Sequence, residues 1–168
     1  MCLYVFLASD KSMPEINSEY LIVRKIDQEE KEMVRRWPSK PEVYFVGSHT
    51  GCSCGFPSVV IGGSIDYSEA MEMFEESDVL PKDRTSLAAL RGYIQAHVAH
   101  GEVVQLYPVW YNSDRAPLGL IPLRLQDMEP EKFFFVEGYV YYITAEPGVV
   151  ADGSRLHFGP LKPRSKKV

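Results

Sequence analysis

The sequence has few cysteines and none of the motifs that identify common enzyme classes. Three cysteines occur among 168 residues, and an odd number argues against a framework of disulfides. The P-loop, the GxGxxG turn, the GxSxG nucleophile elbow and the HExxH zinc helix are all missing. The sequence therefore gives no support to an ATP-dependent, NAD-dependent or common hydrolase function.

Long apolar segments and an excess of positive charge are also lacking. No apolar run approaches the roughly 18 residues that a membrane span requires. No basic residue precedes the apolar stretch at residues 2–8, as it would in a signal peptide. The net charge is −5, and an acidic surface repels nucleic-acid phosphates. We therefore expect a cytoplasmic protein with no membrane or nucleic-acid partner.

The basic residues of the C-terminal end set it apart from the rest of the chain. Residues 162–168 read KPRSKKV and contain no acid. Short terminal segments of this kind are usually solvated, so we expect a flexible tail. Residues 1–161 contain no internal repeat or linker, and this length can fold around one hydrophobic core. The sequence therefore predicts a single domain followed by a tail.

Stretches rich in β-branched and aromatic residues predict the strands. They lie at residues 2–8, 20–26, 42–47, 58–63 and 102–111. Two hairpins are predicted further on, one around the Glu-Gly pair at 137–138, between KFFFV and YVYYIT, and one around the Asp-Gly pair at 152–153.

Capping patterns and apolar periodicity predict three helices. Asp27 and Asp66 are each followed three residues later by a glutamate, which is typical of a helix start. The longest helix is predicted at residues 84–100, before Gly101. Its apolar stripe consists of Leu87, Leu90, Ile94 and Val98. This order of elements predicts an α+β fold, a mostly antiparallel sheet with about three helices packed on one face.

A glycine-rich loop at residues 47–56, GSHTGCSCGF, carries the strongest candidates for chemistry: His49, Cys52 and Cys54. Thiolate sulfur and imidazole nitrogen suit zinc, and glycines allow the tight turns that direct three side chains to one point. A structural zinc site needs a fourth ligand, whereas a catalytic site leaves that position to water.

Cys2 is the natural fourth ligand if the first and third strands are antiparallel, because its end of the first strand then lies beside the loop. A parallel pairing would place Ser9 and Asp10 there instead. His97 and His100 on the long helix are the other possible donors. The sequence therefore predicts a zinc-type site at His49, Cys52, Cys54 and Cys2.

Three alternatives remain open. The Cys52 and Cys54 thiols could form a strained disulfide or act as nucleophiles, with His49 stabilising a thiolate. The cysteines could also simply fill space beneath a tight turn, since free cysteine is often buried. Alternatively, the aromatic hairpin at residues 133–142 could be an exposed surface through which a non-enzymatic protein binds partners or forms a homo-oligomer. The sequence names no substrate.

Two segments, MCLYVFLASD at 1–10 and GSHTGCSCGF at 47–56, resemble a small family of uncharacterised bacterial proteins. This resemblance implies no activity, substrate or ligand. The Met-Cys opening also resembles that of class II glutamine amidotransferases, which implies a nucleophilic Cys2 and two large sheets between helix layers. That resemblance covers two residues and lacks the glycine that follows in those enzymes, because Leu3 stands at that position.

Overall fold

The computed structural model describes residues 2–61, 66–111, 113 and 116–145. The hairpin predicted at 152–153 and the basic tail at 162–168 lie outside these residues. The strands are β1 (Leu3–Ser9), β2 (Ile16–Asn17), β3 (Leu21–Lys25), β4 (Glu42–Ser48), β5 (Ser58–Val59), β6 (Val103–Trp110), β7 (Gly119–Arg124), β8 (Phe135–Val136) and β9 (Tyr139–Thr144). The α-helices are α1 (Gln28–Val34), α2 (Tyr67–Glu72) and α3 (Pro81–His97), and short 3₁₀ helices lie at Ser53–Gly55, Glu76–Asp78 and Leu125–Asp127.

Seven strands form one large sheet in the order β2-β3-β4-β1-β6-β9-β7. The neighbouring strands are antiparallel except for β7 and β9, which are parallel. The predicted α+β class with a mostly antiparallel sheet is therefore confirmed. A single large sheet in the described residues differs from the two sheets that the amidotransferase resemblance implies.

The prediction of a hairpin around residues 137–138 is wrong. The chain does turn there, and Gly138 has a φ of +84°. β8 pairs in parallel with β5 and forms a separate two-stranded sheet, whereas β9 pairs with β6 and β7. The sequence also did not predict β2 or β7. β7 contains Pro122, a residue that lowers strand propensity but is tolerated on an edge strand.

Alternation along the strands gives the large sheet two apolar faces. In β1, Val5 and Leu7 belong to the larger buried cluster, which also contains residues of α2 and α3. Phe6 and Ala8 belong to the cluster on the opposite face. Val34, at the end of α1, lies in that second cluster. The helices therefore cover both faces, with only α2 and α3 on the face that carries the larger core.

The predicted helix starts are confirmed in detail for α1 and α2. Asp27 and Asp66 each accept a hydrogen bond from the backbone three residues later, and the glutamate at that position bonds back. α3 begins at Pro81, earlier than predicted, because proline suits the first helical position. The Asp83 carboxylate accepts a hydrogen bond of 2.8 Å from the Leu80 N–H, which satisfies a donor at this end.

Candidate metal centre

The pairing of β1 with β4 brings the N-terminal end of the chain to the cysteine loop, residues 47–56. The two strands are antiparallel, with Val5 opposite Val46 and Ser9 opposite Glu42. The start of β1 therefore lies at the same end of the sheet as the end of β4. This is the strand direction on which the proximity of Cys2 to the loop depends.

A tight turn at residues 48–52 reverses the chain directly after β4. The Ser48 N–H donates to the Cys52 carbonyl at 2.8 Å, and the Gly51 N–H donates to the Ser48 carbonyl at 2.9 Å. Gly51 has a φ of +83°, a conformation that glycine adopts without the strain of a Cβ. The turn directs Cys52 and the residues after it back towards β1.

The 3₁₀ helix at Ser53–Gly55 takes the place of β4 as the hydrogen-bond partner of the first residues of β1. The Leu3 N–H donates to the Cys54 sulfur at 3.2 Å, and the Val5 N–H donates to the Ser53 hydroxyl at 2.8 Å. The Ser53 hydroxyl in turn donates to the Val46 carbonyl at 2.6 Å. These bonds fix the loop against β1 and bring Cys54 next to the residue that precedes Leu3.

The result is a cluster of three thiols, Cys2, Cys52 and Cys54, here called the cysteine cluster. Their sulfur atoms all lie within 4.8 Å of one another. Sulfurs that share a tetrahedral zinc at about 2.3 Å lie roughly 3.8 Å apart, so small side-chain rotations would give three of the ligands for one metal ion. Cys2 and Cys54 are exposed and Cys52 is half-buried, which leaves the cluster open on one side.

The cysteines of the loop differ in acidity. Partial burial acts to raise the pKa of the Cys52 thiol, but hydrogen bonds from Thr50, from the Cys54 backbone and thiol and from Cys2 together hold this pKa below its usual value. Burial, and after it the neighbouring Cys52 thiol, raise the pKa of Cys54 to about 11. Cys52 is therefore the more readily ionised of these two thiols.

His49, the fourth residue predicted for the site, is not part of the cysteine cluster. Its Nδ1 lies 3.1 Å from the Ser86 hydroxyl, and its Nε2 lies 3.6 Å from the Asp83 carboxylate. A Cβ at Gly55 would lie 2.5 Å from the imidazole carbon Cε1, so the ring packs directly over this glycine. His49 therefore connects the cysteine loop to α3.

Ser86, His49 and Asp83 are the residue types of a catalytic triad, but the serine is not accessible to a substrate. The Ser86 side chain is fully buried, and its hydroxyl also accepts a hydrogen bond of 3.1 Å from the His49 N–H. A nucleophile must reach its substrate. We therefore interpret this contact not as a catalytic site but as one that fixes the cysteine loop against α3. The sequence offered one signal for it: Ser86 precedes Leu90 and Ile94 at helical spacing and is thus a polar residue on the apolar face.

His97, which the sequence offered as another donor, lies outside the cysteine cluster. Its ring packs against that of Tyr93, with centroids 4.8 Å apart. His100, the second such donor, is exposed beyond the end of α3 and is also not part of the cluster.

The aromatic segment at residues 133–142 does not form the exposed surface that an interaction module requires. Phe135 and Tyr141 are fully buried, and Phe133, Phe134 and Tyr139 are at most 9% exposed. Most of these side chains belong to the larger core. They therefore stabilise the fold and are not available to a partner.

Comparisons with protein-family models, with curated proteins and with solved structures return no match. In the part of the chain that the structure describes, the helices are too short or too polar to pass through a lipid bilayer.

Proposed function

We propose that the protein binds a zinc-type divalent metal ion through the thiolates of Cys2, Cys52 and Cys54. The observation that carries this proposal is the approach of all three sulfurs to within 4.8 Å of one another. These cysteines come from two distant parts of the sequence and meet at one point. Thiolates are preferred ligands of zinc and other borderline-soft metals, and no other cysteine occurs in the chain.

The fourth coordination position is open to water or to an external ligand. Two of the three cysteines are exposed, and the His49 ring is held at α3 by Ser86 and Asp83. Three protein ligands and one open position are the arrangement of zinc sites at which a bound water or substrate reacts. His49 would complete a closed site only if it left its partners on α3.

Metal binding displaces protons from the thiols and therefore depends on pH. Cys54, with a pKa raised to about 11, is protonated at neutral pH. We expect the affinity for metal to rise with pH, because less free energy is then needed to remove this proton.

The test is a titration of reduced, untagged protein with Co²⁺, which replaces zinc and gives sulfur-to-cobalt absorption bands in the near ultraviolet. We expect one equivalent of metal, and weaker bands together with weaker binding in each of the variants Cys2→Ser, Cys52→Ser and Cys54→Ser, because each removes one of three thiolates. His97→Gln is the matched control, because His97 was a predicted donor outside the cluster and should leave the titration unchanged. Bands that keep their full intensity after the removal of any one cysteine would contradict a three-thiolate site.

Thiol chemistry at Cys52 is the alternative function, and the lowered pKa of this thiol favours it. The two functions differ in what the purified protein contains. A protein that carries no metal, binds no Co²⁺ and still has one rapidly alkylated thiol at neutral pH would support thiol chemistry instead of the metal site.

A further inference from the structure

A groove lies beside the cysteine loop, on the side towards the start of α3. Its volume is about 410 Å³, which is within the usual size of small-molecule sites. Cys54 forms part of its wall. The rest of the lining comes from residues 56–60, which follow the cysteine pair, and from residues 73–83, which lead into α3.

One part of the groove is apolar. Phe56 and Val59 are buried members of the larger core, and Phe74 packs against that core and stacks on Phe134 with ring centroids 3.8 Å apart. Met73 is 54% exposed. Its flexible thioether can adapt to ligands of different shape. These walls provide a surface for the hydrocarbon part of a ligand.

The charged side chains that line the groove are all acidic. Glu75, Asp78 and Asp83 line it, whereas no lysine, arginine or histidine is among its lining residues. Asp83 is already engaged with the Leu80 N–H and with His49. The side chains of Glu75 and Asp78 are exposed and make no hydrogen bond or ion pair with any residue that the structure describes.

We propose that this groove binds a small organic cation, in which an ammonium or amidinium group meets the carboxylates of Glu75 and Asp78 and an apolar body packs on Phe74 and Met73. An anion would be repelled by these carboxylates. A neutral ligand would bury them without a partner, which costs free energy. Charge complementarity and the apolar wall therefore favour the same class of ligand.

The binding of such a cation does not depend on the metal site, although the two meet at Cys54. A ligand in the groove would lie beside Cys54, one of the three thiols of the cysteine cluster. With metal bound, the three thiolates and the divalent ion would together carry one net negative charge next to the groove, which would strengthen the attraction for a cation. Without metal, the carboxylates and the apolar walls remain.

The probe for this proposal is benzamidinium, and the matched neutral compound is benzamide, which has nearly the same shape. We expect benzamidinium to shift the backbone amide resonances of residues 73–79 in the reduced, metal-free protein. We expect benzamide to bind roughly five- to tenfold more weakly, because it lacks the charge that two exposed carboxylates attract.

The double substitution Glu75→Gln with Asp78→Asn should reduce the affinity for benzamidinium to that for benzamide. Both side chains are exposed, so the fold should persist, and an unchanged thermal midpoint would verify this.

The control is Glu72→Gln, because Glu72 is an exposed acid outside the groove and its replacement should leave binding unchanged. Equal affinities for the two compounds, shifts confined to other residues, or no binding of either would overturn the proposal. Because the measurement uses metal-free protein, each of these results is independent of the Co²⁺ titration.

Discussion

At the scale of single residues, the two cysteines of the loop have different environments although only one residue separates them. The Cys52 sulfur accepts a hydrogen bond of 3.4 Å from the Cys54 N–H and lies 3.4 Å from the Thr50 hydroxyl, with which it also forms a hydrogen bond. The Cys54 sulfur accepts one, from the Leu3 N–H at 3.2 Å. Hydrogen bonds to a sulfur stabilise its ionised form, which is why Cys52 is the more acidic thiol.

We expect iodoacetamide to modify Cys52 before Cys54 in reduced, metal-free protein. The thiolate is the reactive species, and the pKa of Cys52 is lowered while that of Cys54 is raised to about 11. The rate at Cys52 should therefore level off below the pH at which an ordinary thiol ionises, whereas the rate at Cys54 should continue to rise towards pH 11. Peptide mass mapping at a series of pH values measures both rates. Faster labelling of Cys54 at neutral pH would contradict the assignment.

At the scale of secondary-structure elements, Ser53 joins three segments of the chain. Its hydroxyl lies between the Val5 N–H of β1 and the Val46 carbonyl of β4, and its backbone begins the 3₁₀ helix at Ser53–Gly55. The side chain is fully buried. A buried donor and a buried acceptor therefore depend on one hydroxyl group.

Replacement of Ser53 by alanine should lower the free energy of unfolding by about 1–3 kcal/mol, because the Val5 N–H would lose its partner in a buried position. Urea unfolding followed by circular dichroism measures this change. Ser58→Ala is the control, since the Ser58 hydroxyl makes no hydrogen bond with the described residues, and it should cost less. Equal losses for the two variants would show that the Ser53 bridge does not contribute to stability.

At the scale of the whole molecule, the two apolar faces of the sheet enclose several tyrosines. Burial raises the pKa of Tyr93 and Tyr107 to about 12 and raises that of Tyr141 well above its usual value. The Tyr141 hydroxyl accepts a hydrogen bond of 2.7 Å from the Val136 N–H, which acts to lower its pKa, but the effect of burial is larger. Folding therefore favours the neutral form of these phenols.

The protein should lose stability as the pH rises above about 10, the pKa of a tyrosine in an unfolded chain. Because the folded pKa values are raised, the stabilisation is complete below that pH and is lost as the pH approaches 12. Absorbance at the wavelength of tyrosinate should show an earlier, reversible group of half-buried tyrosines and a later group of buried ones that titrates together with the loss of circular dichroism. A single early transition with the fold intact would contradict this expectation.

The parts of the structure that the sequence determined by itself are those that depend on near neighbours. The capping pairs that begin with Asp27 and Asp66 were predicted correctly because each joins residues three positions apart. The stripe from Leu87 to Val98 was predicted correctly because helical periodicity relates residues one turn apart. The residue types of the cysteine loop and the possible role of Cys2 could likewise be read from the sequence.

Only the tertiary structure decided which distant residues meet. The antiparallel pairing of β1 and β4 brought Cys2 close to Cys52 and Cys54. His49 instead contacts Ser86 and Asp83 on α3, away from the three cysteines. In the same way, β8 pairs with β5 and not with β9, so the predicted hairpin does not form. The physical reason is the same in each case: strand pairing and helix packing depend on burial and hydrogen bonds between segments far apart in the chain, and these contacts leave no periodic pattern in the sequence around any one residue.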